Sequence, residues 1–282
     1  RTKVGAAANS AKVLLEEKLV ARRTARDDSR VESLVADAID VTLPGRHVAI
    51  GHYHPSTIEM REIAQIFHNM GFQVVDGPEV EWDQYNFEKL NIPRDHPARD
   101  MFDTFWLDAN RDEQGGFTTL LRTHTSPMQA RIMEAHEPTI RVIVPGKCYR
   151  YEATDATHES QFHQVEGLAV DKGITFANLK HTLYQFAAQM FGSDTRVRFR
   201  CDYFPFVEPG VDMSIEWRGD WLELLGAGMV HPNVLRAAGY DPDIYSGFAF
   251  GMGPERIAML KYGINDIRQF LANDVRFLRQ FS

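Results

Sequence analysis

The chain has 282 residues, of which 44% are apolar and 25% charged, with a net charge of −8. That composition belongs to a globular protein with enough apolar residues for one large core or two ordinary ones, and it excludes fibrous and low-complexity classes. No apolar run approaches the ~20 residues of a membrane-spanning helix and no signal-peptide pattern is present, so a cytoplasmic location without membrane contact is expected. The two cysteines, Cys148 and Cys201, are far apart and outside any C-x-x-C pair. This disfavours a zinc site or a disulfide framework, fits a reducing compartment, and leaves both as expected packing residues.

Residues 1–26 carry seven Lys and Arg against two Glu, so the remaining chain holds a net −13. An acidic body is a poor general partner for nucleic acid, because phosphate neutralisation needs Lys and Arg. A basic arm attached to it is either a solvated helix face or a polyanion contact. The arm reads as helix: Lys12 to Arg23 is rich in strong helix formers, and Ser29 with Glu32 forms a capping-box pattern before the stripe Val31, Leu34, Val35, Ala38 and Ile39. Pro44-Gly45 ends this region and divides an arm (1–42) from a body (43–282).

In the body, Ser56 and Glu59 suggest a second capping box, with Ile58, Ile63, Ile66, Phe67 and Met70 on one helical face and Gly71 closing it. Phe72 to Val80 reads as a strand ending at Gly77-Pro78. Strands are expected over 104–107, 117–121, 140–144, 149–152, 162–170, 197–206, 213–217 and 221–225, and helices over 127–136, 176–191 and 254–262. Most strands succeed one another without a crossover helix, which predicts an α+β fold on a mainly antiparallel sheet flanked by helices. There is no Gly-x-x-x-x-Gly-Lys-Ser/Thr loop, so a nucleotide would have to be held by other means.

Two clusters carry candidate chemistry. Arg150-Tyr151-Glu152 and Phe162-His163-Gln164-Val165-Glu166 flank a polar stretch containing His158. Strand alternation sends Arg150 and Glu152 to one face, and Phe162, Gln164 and Glu166 likewise. Such a face is either the wet side of a half-exposed sheet or a packed site. The second cluster, Gly247 to Arg256, is a glycine-rich strand entering a helix at Pro254. On its own it fits an ordinary strand–helix connection. An arginine strand–loop–strand combined with a glycine-rich strand feeding an arginine helix resembles the class II aminoacyl-tRNA synthetase pattern.

The resemblance narrows to the alpha-subunit family of bacterial-type phenylalanyl-tRNA synthetases over about residues 40–282. It is carried in order by Gly77-Pro78-Glu79-Val80-Glu81, Tyr85-Asn86-Phe87, Leu90-Asn91-Ile92-Pro93, His96-Pro97-Ala98-Arg99, Asp103-Thr104-Phe105, Arg122-Thr123-His124-Thr125-Ser126-Pro127, Tyr203-Phe204-Pro205-Phe206 and Gly226-Ala227-Gly228-Met229-Val230-His231-Pro232. Residues 1–40 resemble the later part of that family's N-terminal coiled-coil arm, which implies a tRNA contact. Residues 56–81 resemble its subunit-interface motif.

The resemblance implies a class II catalytic domain that forms phenylalanyl-adenylate from L-phenylalanine and ATP, then passes the aminoacyl group to a tRNA hydroxyl. Carried onto this sequence, Arg150 and Arg256 are the catalytic pair. Arg150 meets the α-phosphate, Phe162 and Arg256 sandwich the adenine, Glu152 accepts from its amino group, and His158 contacts phosphates. Magnesium (Mg2+) accompanies ATP, with Glu223 as first candidate ligand and Glu208 as second. For phenylalanine, Gln164 and Glu166 hold the ammonium, while His124, Ser126 and Gln129 orient the carboxylate and amine. Phe204 and Phe206 meet the ring from one strand face with Pro205 turned away. Ala249 lies under the para position, and Trp106 is a weaker candidate for the pocket wall. A hydrophobic pocket rejects an added hydroxyl poorly, and no length is left here for an editing domain. Proofreading on a partner follows, in agreement with that family's beta subunit and (αβ)2 heterotetramer. Two rivals are a phosphoserine-charging relative, which would need extra cationic or hydroxyl groups in place of Phe204 and Phe206, and a non-catalytic paralogue, which would not need Arg150, Glu152 and Arg256 together.

Overall fold

The computed structural model describes residues 2–36, 39–45 and 51–281, and the chain divides into two units, 1–51 and 52–282. The described part of the first unit is dominated by one helix, α1 (Thr2–Ala36), about 50 Å long at 1.5 Å per residue. Ser29 lies inside it and caps nothing. An interior serine costs a helix only a few tenths of a kcal/mol, less than breaking it and nucleating another. Val31, Leu34 and Ile39 of the expected stripe are exposed; Ala38 and the Val35 side chain lie outside the described residues.

The second unit starts its helices with α2 (Pro55–Asn69). Its cap is His54, whose Nδ1 accepts the Ser56 N–H at 3.2 Å. Pro55 already occupies the first helical position, which moves the cap one residue ahead of Ser56. Glu59 is fully buried and takes Lys261 at 3.1 Å, and Lys261 also reaches Glu62 at 2.5 Å. Ile63, Ile66 and Phe67 are buried as their spacing predicts, Ile58 and Met70 are half-buried, and Gly71 ends the helix at φ 85°.

The remaining elements are β1 (Gln73–Val74), β2 (Val80–Trp82), α3 (Asp83–Asn86), β3 (Trp106–Arg111), β4 (Phe117–Leu121), α4 (Pro127–Ala135), β5 (Ile140–Tyr149), β6 (Gln161–Asp171), α5 (Phe176–Phe191), β7 (Val197–Phe204), β8 (Val207–Trp217), β9 (Asp220–Val230), α6 (Pro232–Ala237), β10 (Ser246–Met252), α7 (Pro254–Tyr262) and α8 (Val275–Leu278). Seven strands form one sheet in the order β1-β5-β6-β10-β9-β8-β7, antiparallel except where β1 lies beside β5, and β2-β4-β3 form a second. The antiparallel expectation therefore holds.

Two strand expectations do not. The segment 72–80 is split between the two sheets, because Gly77-Pro78 interrupts it. The segments 140–144 and 149–152 begin as one strand, β5, which stops at Tyr149. Pro145 does not break it. β1 pairs only with Val142 and Ile143, so beyond them β5 is an edge on that side, where a missing N–H costs no ladder bond. Of the cysteines, Cys148 is buried as expected but Cys201 is exposed on β7.

Side-chain alternation sorts the large sheet into two faces. Ile143, Val165, Met213, Phe248 and Phe250 pack on Ile63, Phe67, Leu183 and Phe186 of α2 and α5. On the other face Val142, Leu168 and Val170 pack with Met128 and Ile132 of α4 and Val234 and Leu235 of α6. Farther along β6 and β8 that same face turns polar, with Gln164, Glu166 and Asp212.

Candidate active site

The polar half of the sheet lines a cavity of about 750 Å³, within the usual range for small-molecule sites. At its centre Glu166, 2% exposed, accepts from Ser126 Oγ at 2.9 Å, Gln129 Nε2 at 2.5 Å and Gln164 Nε2 at 2.9 Å. Burial pushes its carboxyl up to about 7 against these three donors. Ser126 and Gln129 come from the start of α4, so two distant segments meet at one carboxylate. Gly251 faces Glu166 across the β6–β10 ladder. A Cβ there would sit 2.8 Å from Gln164 Nε2 and 3.2 Å from Glu166 Oε2, so the strand has no room for a side chain.

His124 is buried, and neither ring nitrogen has a hydrogen-bond partner among the described residues. Burial, with the Arg150 and Arg122 charges adding to it, holds its pKa down at about 3. The ring is thus neutral near pH 7 and offers one donor and one acceptor. Such orphaned groups cost roughly 1–3 kcal/mol each, which favours a ligand that pairs them. The ring packs on Phe102 at 5.1 Å and Phe206 at 6.1 Å.

Phe204 and Phe206 both line the cavity, with ring centroids 6.1 Å apart. They do not share a strand face. β7 ends at Phe204 and Phe206 lies in the turn to β8, so Pro205 lines the cavity as well instead of turning away. Ala249 faces the same cavity from β10. Trp106 does not: it belongs to the small sheet, lies 6.3 Å from Phe87, and lines a separate depression of about 580 Å³.

Arg150 lines the same cavity. Its backbone N–H donates to Ser160 O at 3.0 Å, extending the β5–β6 hairpin, and its Nε donates to Thr123 O at 3.1 Å. The guanidinium lies 5.0 Å from the Phe162 ring and 5.6 Å from the Phe102 ring. Glu152 and Asp103 act on it only through space; among the described residues no carboxylate bonds to it. Glu152 does not share its surroundings, because both lie past the end of β5 where strand alternation no longer applies: Arg150 lines the cavity and Glu152 does not. His158 is exposed, 3.0 Å from Asp155, and likewise outside the lining. Arg256 is exposed on the first turn of α7, and its charge reaches Glu223.

Glu223 lines the cavity beside Asp212, and Arg200 approaches them at 3.5 Å and 2.8 Å respectively. Burial raises the pKa of Glu223 and the Asp212 charge adds to the effect. Glu208 is 76% exposed, 3.4 Å from His231, and not in the lining. Among the described residues no group of three or more His, Cys, Asp or Glu converges on a metal position. Magnesium takes one or two carboxylates plus waters and phosphates, and Glu223 with Asp212 supplies such an oxygen pair where Glu208 does not.

Sequence reasoning missed Asp212, although a carboxylate inside the apolar run Val211-Asp212-Met213 was a usable signal. It also missed the wall from His96, Met101 and Phe102, which lie in and beside a short helical turn with no periodic signature, and a part-buried Glu255–His163 contact.

An antiparallel sheet whose one cavity is lined by an arginine that no carboxylate among the described residues pairs and by a buried carboxylate has the form of a class II synthetase core. The family model described as the tRNA synthetase class II core domain (F) matches residues 38–281. The phenylalanine–tRNA ligase alpha subunit of Dehalococcoides mccartyi is 54% identical over 293 aligned residues, covering 100% of this chain and 84% of that protein. Those of Geobacillus kaustophilus and a Synechocystis species are 52% and 49% identical, again over 100% of this chain and over 84% and 83% of theirs. The solved pyrrolysyl-tRNA synthetase of Desulfitobacterium hafniense shares the fold, with a TM-score of 0.61 at 20% identity over 90% of this chain and 81% of that one. The chain belongs to the phenylalanine–tRNA ligase alpha-subunit family of class II tRNA synthetases.

Proposed function

We propose that the chain is the catalytic alpha subunit of a phenylalanine–tRNA ligase, activating L-phenylalanine with ATP and charging the terminal adenosine of its tRNA. The observation that carries this reading is the charge layout of one cavity. Arg150, half-buried and without a carboxylate partner among the described residues, suits a phosphate. Glu166, buried and held by three donors, suits an ammonium. In the first step a phenylalanine carboxylate oxygen bonds the α-phosphorus, the α–β bridging bond breaks, and pyrophosphate leaves. In the second a tRNA hydroxyl oxygen bonds the acyl carbon and AMP leaves with the mixed-anhydride electron pair.

In this reading Gln164 and Glu166 take the ammonium, and neutral His124 with Ser126 and Gln129 orients the amino acid. Phe204 and Phe206 meet the ring, each contact contributing about 0.5–1.5 kcal/mol beyond burial. Arg150 holds the α-phosphate, Phe162 and Arg256 grip the adenine, and Glu152 and His158 approach the nucleotide from their loop. Magnesium held by Glu223, with Asp212 beside it, would neutralise phosphate charge when bound. A beta subunit completes the enzyme as an (αβ)2 assembly and carries proofreading; α1 contacts tRNA, and the assembly works in the cytoplasm. No helix among the described residues is long and apolar enough to cross a membrane.

The test is phenylalanine-dependent ATP–pyrophosphate exchange by the chain co-expressed with its beta subunit. Exchange is expected with phenylalanine and not with phosphoserine, and a folded assembly that gives none with phenylalanine ends this reading. Within it, Ala249→Gly is expected to admit p-chlorophenylalanine, because Ala249 bounds the cavity that the aromatic pair also lines. Unchanged relative kcat/KM for the two amino acids would remove Ala249 from the ring's contacts.

A further inference from the structure

We propose that Glu255 and His163 form a fastener that sets the width of the nucleotide slot, which makes both of them positioning residues for ATP. The inference rests on the reading that Phe162 and Arg256 grip the adenine. Glu255 is 5% exposed on the first turn of α7. Its Oε1 lies 2.6 Å from His163 Nδ1, and its Oε2 accepts the His163 backbone N–H at 3.2 Å. Both oxygens of one carboxylate are thus committed to one residue 92 positions away.

The two fastened residues are the chain neighbours of the two gripping ones. Strand alternation sends the Phe162 and His163 side chains to opposite faces of β6, and both residues border the cavity. Glu255 immediately precedes Arg256 on the helix. Any slide of the α7 start along β6 would stretch two hydrogen bonds at once, and the same slide would change the Phe162–Arg256 separation.

Helix docking does not require this pair. Ile257, Ala258 and Met259 are buried, and Lys261 ties the far end of α7 to Glu59 and Glu62. A buried carboxylate–imidazole contact adds little net stability over apolar packing, since desolvation offsets its attraction, but it holds one geometry. Its place at the slot end of α7 matches a positioning role.

The test uses the alpha–beta assembly and measures KM for ATP, KM for phenylalanine, kcat and Tm. His163→Leu removes the ring donor at similar volume and is expected to raise KM for ATP about five- to tenfold, with KM for phenylalanine within about twofold. His163→Asn restores a donor near the Nδ1 position and should return KM for ATP to within about twofold of the parent. Glu255→Gln keeps shape and one acceptor, and should give a smaller ATP-selective rise even if His163→Leu folds poorly. Parallel changes in both KM values, or a fall in Tm alone, overturn the proposal. Arg256→Ala separates the layers: if it leaves KM for ATP unchanged, the gripping reading itself fails. If it raises that KM while His163→Leu and Glu255→Gln are silent, only the fastener fails.

Discussion

Arg150→Lys is expected to lower kcat/KM for phenylalanine-dependent pyrophosphate exchange about a hundredfold, mostly through kcat. The guanidinium is oriented by its Nε bond to Thr123 O at 3.1 Å and by the Phe162 and Phe102 rings at 5.0 and 5.6 Å. A planar fork so held can give two donors to phosphate oxygens as charge develops in the transition state. Lysine offers a point charge on a flexible stem, leaves the Thr123 carbonyl without this partner, and is harder to keep charged where burial already disfavours the charged form of Arg150. Removing one preorganised donor of this kind typically costs about 10²–10³ in rate. A variant with parental Tm and kcat/KM within threefold of the parent would show that Arg150 does not meet the reacting phosphate.

Glu166→Gln carries the second large effect and reverses sign between binding and folding. A charge-assisted bond to the substrate ammonium is worth about 1.5–3 kcal/mol, so KM for phenylalanine should rise roughly 10- to 150-fold. In the parent the carboxyl must first lose its proton, whose pKa lies at about 7. KM for phenylalanine should therefore rise about tenfold between pH 8 and pH 6 in the parent, and stay flat in the variant. The folded-state pKa lies above the ordinary 4.5. Protonation of Glu166 thus favours the folded chain, fully so below 4.5, and this contribution is lost as the pH rises through 7. Glutamine removes the buried charge, and its amide has an acceptor in the free, buried Gln129 Oε1. The variant should melt several degrees higher than the parent at pH 8 and show little difference at pH 5. A flat pH profile in the parent, or a lower Tm for the variant at pH 8, would contradict the assignment.

Much of the fold was legible because local rules sufficed. The boundaries of β4, α5 and α7 coincide with those expected at 117–121, 176–191 and 254–262, since each has its own start and stop residues. The antiparallel class followed from the succession of strands without crossovers. Misreadings occurred where a local signal was outweighed by its surroundings. Ser29 looked like a cap inside a helix that simply continues, and the expected gap between 144 and 149 is strand, on an edge that does not need the Pro145 N–H. Gln164 and Glu166 were legible as a pair from period-2 alternation. Glu152 was misplaced by the same rule, applied three residues beyond the end of the strand.

The sequence by itself determined which groups are available: an arginine hairpin, a glycine-rich strand before an arginine helix, a phenylalanine pair, and alternation that turns Phe162, Gln164 and Glu166 one way. Only the tertiary structure decided what each group has become. Glu166 is raised toward neutrality because α4 and the sheet close over it, Arg150 has no carboxylate partner among the described residues because none of theirs is brought within reach, and Trp106 is excluded because its strand belongs to the other sheet. Charge state and pairing depend on burial and on neighbours 37 to 92 residues away, and such distances are set by packing, which no local pattern encodes.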